Sequence, residues 1–166
     1  MFYELYLQLN IKRLEKLFDI TLKNRKILYK ILKNTPKEAL LEIPPGFRNN
    51  IWWNIAHVVV TQQRLVYGRS NLPMRMSNEL IDKFKKGTVP DGTATDDEME
   101  EIEGYLFATA EWIQQDYENG IFKNFDPYTT TPGVVLECVE DALAFNVFHE
   151  GLHLGVILSL QKALMK

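Results

Sequence analysis

Apolar residues recur at helical spacing in the first part of the chain, from about residue 6 to residue 33. The repeating apolar positions are Leu7, Ile11, Leu14, Phe18, Leu28 and Leu32. Lysines and arginines occupy positions between them, on the other faces. A repeat of about 3.6 residues is typical of an amphipathic helix. The pattern therefore predicts a long first helix, followed by a segment that Pro36 and Pro44-Pro45-Gly46 interrupt.

A second, almost wholly apolar stretch begins after Asn49-Asn50 and stops near Gly68. Asparagine is a favoured helix N-cap, and glycine is common just past a helix end. Three consecutive valines at 58–60 would also suit a strand. The length of the stretch and its two boundary signals favour a buried helix instead.

A long connection, residues 69–94, precedes the third helix and contains a predicted short helix at Asn78–Lys85. A link of this length predicts a crossover between helices two and three rather than a tight hairpin. The third helix begins at Thr95-Asp96-Asp97-Glu98, a capping-box pattern with acids where the helix dipole favours them. It ends at Asn119-Gly120, a typical C-terminal stop.

The last part of the chain combines an irregular segment, residues 121–136, with a fourth helix that runs from near Cys138 to the end. No convincing strand ladder interrupts the four helical stretches. Four helices with one long crossover predict an all-α fold, a four-helix bundle formed by a single domain of residues 1–166.

Composition narrows the class of protein. The chain is 46% apolar and 25% charged, as expected for one globular domain. Its formal net charge of −3 argues against a nucleic-acid partner, which usually requires a basic face. A single cysteine excludes an internal disulfide and favours a reducing compartment. The first residues do not read as a signal peptide, and no run of about 18 uncharged apolar residues appears. We therefore predict a cytoplasmic protein with no membrane partner.

The chain has only three histidines, and two of them are four residues apart near the end: His57, His149 and His153. On a helix, positions i and i+4 lie on one face, ~6 Å apart along the axis, so two imidazoles can converge on one ion. With His57 as a third ligand, the set predicts a three-histidine metal site that leaves coordination positions open. The alternative is three unrelated histidines, two on a solvated face and one in the core.

Two other metal chemistries compete. His149-Glu150-x-x-His153 is also the zinc-protease signature, but that class takes a third ligand from downstream, and the 13 residues after His153 contain no Asp, Glu, His or Cys. Ferritin-like di-metal bundles need two Glu-x-x-His pairs. Here the second pair is missing, because Asn54 stands three residues before His57. A mononuclear three-histidine site remains the prediction.

Other residues share the helix faces of the candidate ligands. They are Trp53, Asn54, Arg64 and Asn146. Buried amides cost free energy unless they are paired, roughly 1–3 kcal/mol each, so a polar pocket shared by the two helices is the simplest explanation. We predict that these four residues bind substrate or support the ligands, with Arg64 facing an anionic group. The alternatives are solvent-facing or capping asparagines, a core tryptophan and a surface salt bridge.

These features resemble the DinB-like (YfiT-like) superfamily of four-helix metalloproteins. The resemblance rests on Trp53-x-x-x-His57, on the long crossover and on His149-Glu150-x-x-His153-x-Gly155, and it covers essentially the whole chain. It implies an up-down-down-up bundle with a zinc or nickel ion on three histidines, and frequent dimers. Characterised relatives are thiol-dependent enzymes: S-transferases that use thiols such as bacillithiol, and a mycothiol-dependent maleylpyruvate isomerase.

The functional prediction is a metal-dependent enzyme that activates a low-molecular-weight thiol or a water and acts on a small-molecule substrate. Glu150 is the candidate base, or a partner that orients a histidine; alternatively it is an exposed helix acid. A homodimer is also predicted, because aromatic residues such as Phe122, Phe125 and Tyr128 lack an obvious core position, although they would equally serve to roof the bundle. The alternative function is a non-catalytic, metal-containing bundle that acts as a binding or assembly module.

Overall fold

The computed structural model describes residues 2–165, and the side chains of residues 12–165. Within that part the chain is mostly helical, which confirms the predicted all-α class. The helices are α1 (Phe2–Asn34), α2 (Lys37–Leu41), α3 (Ile51–Gln63), α4 (Asn78–Phe84), α5 (Asp96–Glu118) and α6 (Val139–Leu164). A π-helical segment, Arg64–Gly68, continues α3. Two short antiparallel strands, β1 (Tyr128–Thr129) and β2 (Val135–Leu136), form a hairpin before α6.

The hairpin and α2 are absent from the sequence prediction, which expected irregular structure in both segments. Five residues of helix and two residues of strand are too short to show a hydrophobic period. The turn of the hairpin contains Gly133, whose φ of +87° is a conformation that favours glycine. The apolar positions Leu7 and Ile11, predicted for the first helix, lie outside the described side chains.

The predicted caps are confirmed. The Asn50 side chain accepts a hydrogen bond of 2.8 Å from the Trp53 backbone N–H at the start of α3. At the start of α5, Thr95 and Glu98 form a reciprocal capping box, with backbone-to-side-chain bonds of 3.0 and 3.1 Å. Gly120 follows the end of α5 with φ of +63°. These local bonds satisfy the free backbone groups of the helix ends.

The four longest helices form the core of the molecule. Helix α3 packs against α5 and α6, and α1 packs against the same two helices. Every residue of α3 except Thr61 is buried, because α2 and α4 cover its remaining surface. A helix that is covered on all sides is mostly apolar on all sides, which explains the almost wholly apolar stretch in the sequence. Helix α3 is therefore the central element, and its polar residues must find partners inside the molecule.

Helix α6 is long and apolar enough, by length and composition, to cross a membrane. No span was predicted from the sequence, because Glu150 and other charged residues interrupt the apolar run of α6. In this fold α6 packs against α1 and α3, and Asn146, Glu150 and Leu160 on it are buried.

A buried ion pair connects α1 to α6. The Arg25 guanidinium donates from Nε and Nη2 to Glu150 Oε1, at 3.0 and 2.8 Å, and neither side chain is exposed to solvent. Asn146 Nδ2 donates to the same carboxylate oxygen at 2.8 Å. Arg25 Nη2 also donates to Gln62 Oε1 on α3, which in turn accepts from the Thr109 hydroxyl on α5. The network thus joins all four long helices at one level.

We expect Arg25→Met to lower the free energy of unfolding by about 3–5 kcal/mol, because it leaves the Glu150 carboxylate buried without its counter-charge. Urea unfolding followed by circular dichroism measures the change. Lys23→Met is the matched control, since Lys23 pairs with Asp19 on the exposed surface of the same helix and should have little effect. Equal stability of the two variants would show that the buried pair does not hold the bundle together.

Candidate metal centre

The three histidines meet between α3 and α6. Each of His57, His149 and His153 offers one ring nitrogen, and the three nitrogens lie within 4.8 Å of one another. The ring centroids are 5.2 Å apart for His57 and His149, 4.7 Å for His57 and His153, and 4.5 Å for His149 and His153. The juxtaposition predicted from the spacing is confirmed, and three unrelated histidines are excluded.

His57 is held by contacts on both sides of its ring. Its Nδ1 lies 2.7 Å from the Phe84 carbonyl oxygen at the end of α4. A carbonyl can only accept, so Nδ1 carries the proton and the lone pair is left on Nε2. The Trp53 indole stacks on the ring at 4.4 Å and 12°, and its own Nε1 donates to the Thr88 hydroxyl. The crossover between α3 and α5 therefore fixes the tautomer and orientation of this histidine.

Asn54 fixes the tautomer and orientation of His153. Its Nδ2 donates to the Asn50 carbonyl at 2.7 Å, which turns its Oδ1 toward His153. His153 Nδ1 lies 2.7 Å from that oxygen and must donate to it, so Nε2 again keeps the lone pair. Amides or carboxylates that bind the second ring nitrogen are the usual support of metal-ligating histidines. The predicted supporting role of Asn54 thus has a geometric basis.

His149 has a different environment. Phe145, one turn earlier on α6, lies nearly parallel to the ring at 6.3 Å. Its Nδ1 is buried, and no described residue offers it a hydrogen bond. An unpaired buried ring nitrogen is unfavourable, which distinguishes His149 from the other two histidines, whose Nδ1 atoms are paired.

Burial lowers the pKa of all three imidazoles, because a charged ring loses its hydration in the interior. The pKa falls to about 4 for His149 and to about 3 for His153, and neighbouring imidazoles add to both shifts. The pKa of His57 is also lowered by burial, although its hydrogen bond to Phe84 opposes the shift. The rings are therefore neutral near pH 7, the form that binds a metal ion.

A cavity of about 430 Å³ opens beside the cluster, and all three histidines line it. Helix α6 contributes Phe145, Phe148 and Leu152 to one side. The other lining residues come from the end of α3, the π-helical segment, the crossover and the hairpin region. They include Arg64, Arg69, Lys86 and Tyr128. A pocket next to a ligand set is the arrangement of sites that bind small molecules, whereas a purely structural metal site is closed by protein.

Glu150 does not lie at the cavity, where the predicted catalytic base would have to be. Its carboxylate is fully buried, is bound by Arg25 and Asn146, and does not line the cavity. The alternative of an exposed helix acid is equally wrong, since the side chain has no solvent exposure. Asn146 likewise supports the ion pair rather than the histidines. The helix rotation that points His149 and His153 toward α3 directs Glu150 and Asn146 toward α1.

Arg64 lines the cavity, and no described carboxylate lies within 4.0 Å of it, so the alternative of a surface salt bridge is not found among the described residues. Its contact with an anionic group stays a prediction. Sequence analysis missed Arg25 altogether. The signal was present: Arg25 lies seven residues after Phe18 and three before Leu28, on the apolar stripe of α1. The cavity residues Arg69 and Lys86 were also missed, because loops carry no period that reveals which side chains turn inward.

The donor set fits a divalent metal ion. Three neutral imidazoles with converging nitrogens suit zinc or nickel, and two of them have the proton fixed on Nδ1 by a neighbour. No carboxylate or thiol belongs to the cluster in the described residues, which separates it from protease and di-metal sites. The cluster could therefore hold one ion.

Fold and cluster together define a mostly helical protein with a three-histidine site. The sequence model of the DinB superfamily matches residues 21–157, more than four fifths of the chain, and this range includes every residue of the cluster and of the buried ion pair. The chain belongs to the DinB superfamily, as its resemblance predicted. A comparison with curated proteins finds no match.

Below pH 6.5 the metal-free protein should lose stability through its histidines. In the unfolded chain a histidine titrates near ~6.5, whereas His149 in the folded protein stays neutral down to about 4. The unfolded state binds more protons in that window, so the free energy of unfolding falls as pH falls, and above pH ~6.5 the effect vanishes.

Urea unfolding of chelated wild type and His149→Gln across this range measures the contribution of His149. The wild type should lose up to ~1.4 kcal/mol more per pH unit than the variant. Carboxylates that titrate in the same range are common to both proteins and cancel in the difference. Parallel pH profiles would contradict a lowered His149 pKa.

Proposed function

We propose that this protein is a metal-dependent enzyme that acts on a small molecule, with zinc or nickel held by His57, His149 and His153. The single observation that carries the proposal is the convergence of three ring nitrogens within 4.8 Å on the wall of an open cavity. A divalent ion there would act as a Lewis acid and lower the pKa of a low-molecular-weight thiol or a water. An S-transferase, isomerase or hydrolase reaction is consistent with that chemistry.

The residues of the chain would bind and orient. Phe84 and Asn54 keep the protons of His57 and His153 on Nδ1, so the lone pairs are on Nε2. The Nε2 of His57 accepts a hydrogen bond from the Thr61 hydroxyl at 3.2 Å, which a bound ion would replace. The Trp53 indole restrains the His57 ring and shields it from water. Glu150 supports the site indirectly, as part of the ion pair that positions α6. We assign it a positioning role in place of a catalytic one.

The runner-up is a non-catalytic metal-containing bundle used for binding or assembly. Such a site would be expected to be sealed by protein. The cavity beside the histidines favours the enzyme, because it gives a small molecule room next to all three rings.

Metal content and turnover of variants test the proposal. Protein purified without a histidine tag should bind one zinc or nickel ion per chain, and His153→Ala should lose both the ion and any thiol-dependent activity while it keeps its helical content. Two imidazoles hold a divalent ion much more weakly than three. The metal affinity of Asn54→Ala should lie between those of the wild type and His153→Ala. We expect a reduction of roughly 10–100-fold, because Asn54 supports His153 without being a ligand.

Metal competition assays, circular dichroism and transfer of bacillithiol to a chromogenic electrophile would be measured on the same preparations. Retention of metal and activity by His153→Ala would exclude it as a ligand. Outright unfolding of the variant would instead favour the structural-metal alternative.

We further propose that the four long helices run up-down-down-up, and that the protein acts in the cytoplasm. The packing of α1 and α3 against both α5 and α6, and the single cysteine, support these proposals.

A homodimer is proposed through α6. The aromatic residues that first suggested a dimer are Phe122, Phe125 and Tyr128. They are partly buried against the protein's own core, so they cover the bundle and not a partner. Helix α6, however, exposes Leu158, which is about half exposed and does not line the cavity. Gly151 and Gly155 lie on the same face, where an added Cβ would meet open space. Glycine weakens a helix by about 1 kcal/mol relative to alanine, and close approach of the same helix in a second copy would offset that.

Light scattering at micromolar concentration should show a dimer that Leu158→Asp dissociates, since the substitution places a charge in the apolar contact. Val89→Asp, which changes an exposed apolar residue away from α6, should remain dimeric. A wild-type monomer at high micromolar concentration would end this proposal.

A further inference from the structure

The cavity beside the histidines has a cationic side. Arg64, Arg69 and Lys86 line it, and none of the residues that line it is acidic. No carboxylate in the described part of the chain lies within 4.0 Å of these three cations, although lysines elsewhere, such as Lys33 and Lys83, are paired. The chain as a whole carries a net charge of −3, so the positive lining does not follow from its composition.

Neutral partners hold two of these cations at the cavity. The Arg69 guanidinium lies 4.3 Å from the centroid of the Tyr128 ring, a cation–π contact. Lys86 Nζ donates to the Thr131 hydroxyl at 2.8 Å. Both contacts restrain the side chain without neutralising its charge. Restrained, uncompensated cations are suited to bind an anion, because little side-chain entropy is lost when the anion arrives.

The apolar side of the cavity is formed by α6. Phe145, Phe148 and Leu152 line it, and the last two keep about half of their surface exposed. Apolar surface that a protein leaves exposed within a pocket is free to cover the apolar part of a ligand. The histidine cluster lines the same cavity as the cations and these apolar residues.

We propose that the cavity binds a small organic anion whose carboxylate or phosphate group meets Arg64, Arg69 and Lys86 and whose apolar body lies against α6. The inference rests on the proposed function where it places the reacting part of that molecule at the histidines. Anion binding itself depends only on the cations and the apolar residues.

Matched probes separate the two parts of the ligand. 3-Phenylpropionate carries an anionic group on an apolar body, 3-phenylpropanamide removes the charge, and propionate removes the ring; phenyl phosphate tests the second kind of anionic group. By ligand-observed NMR or calorimetry, 3-phenylpropionate should bind about tenfold more tightly than the amide, as expected when a charged hydrogen bond is lost. Propionate should be weaker than 3-phenylpropionate, and added salt should weaken both anions.

Variants test which cationic side chains bind the anionic group of the ligand. Arg64→Gln/Lys86→Gln should bind 3-phenylpropionate about tenfold more weakly and the amide unchanged. Arg48→Gln, at an exposed arginine that does not line the cavity, should behave as the wild type. Equal binding of acid and amide by the wild type, wild-type affinity of the double variant for 3-phenylpropionate, or no binding of that acid at millimolar concentration would overturn the proposal.

Metal analysis of the same samples separates the test of the anion site from the test of the metal-dependent enzyme. The measurements would be made on chelated and on zinc-loaded protein, because a bound ion could itself attract a carboxylate. A preference for the acid that persists in chelated protein and disappears in the double variant supports the anion site, whether or not the protein retains zinc. Zinc binding by a protein that does not prefer the acid would leave the metal site standing and remove the anion site.

Discussion

The buried Arg25–Glu150 ion pair is the interaction on which the rest of the structure depends. A charge in the interior is stable only beside its counter-charge, so the pair fixes α1 and α6 relative to each other. Gln62 and Thr109 extend the constraint to α3 and α5. Sliding or rotating any one helix would leave a buried polar group without its partner. Because Glu150 directly follows His149, the same constraint also sets the rotation of α6 that brings its two histidines toward α3.

The candidate metal centre is assembled from elements far apart in sequence. Helix α6 supplies two rings, α3 supplies the third and the amide of Asn54, and the crossover supplies the carbonyl that orients His57. The crossover and the hairpin region then contribute the cations and the ring of Tyr128 that line the cavity. Rigid helices thus hold the ligands, while the connecting segments determine what can bind beside them. Variation in those segments would change the bound molecule without disturbing the histidines.

Much of this could be predicted from the sequence, where the information is local. Apolar periodicity gave the long helices, and Asn50 and Thr95 marked helix starts because their side chains bond to the nearby backbone. The pairing of His149 with His153 follows from the geometry of one helical turn. Arg25 lies on the apolar stripe of α1, but it was missed because the many other basic residues of that helix made it resemble a surface charge. Its burial depends on a carboxylate 125 residues later in the chain.

The sequence by itself determined the all-α class, most helix boundaries and the three imidazoles as a candidate ligand set. Only the tertiary structure decided that Glu150 faces Arg25 instead of the cavity, that Asn54 binds His153 while Asn146 binds Glu150, and that Lys86 lines the cavity beside the histidines. The physical reason is the range of the interactions. Helix formation and capping involve residues within about four positions of each other. The direction in which each helix face points is fixed by packing between distant segments, which no local pattern records.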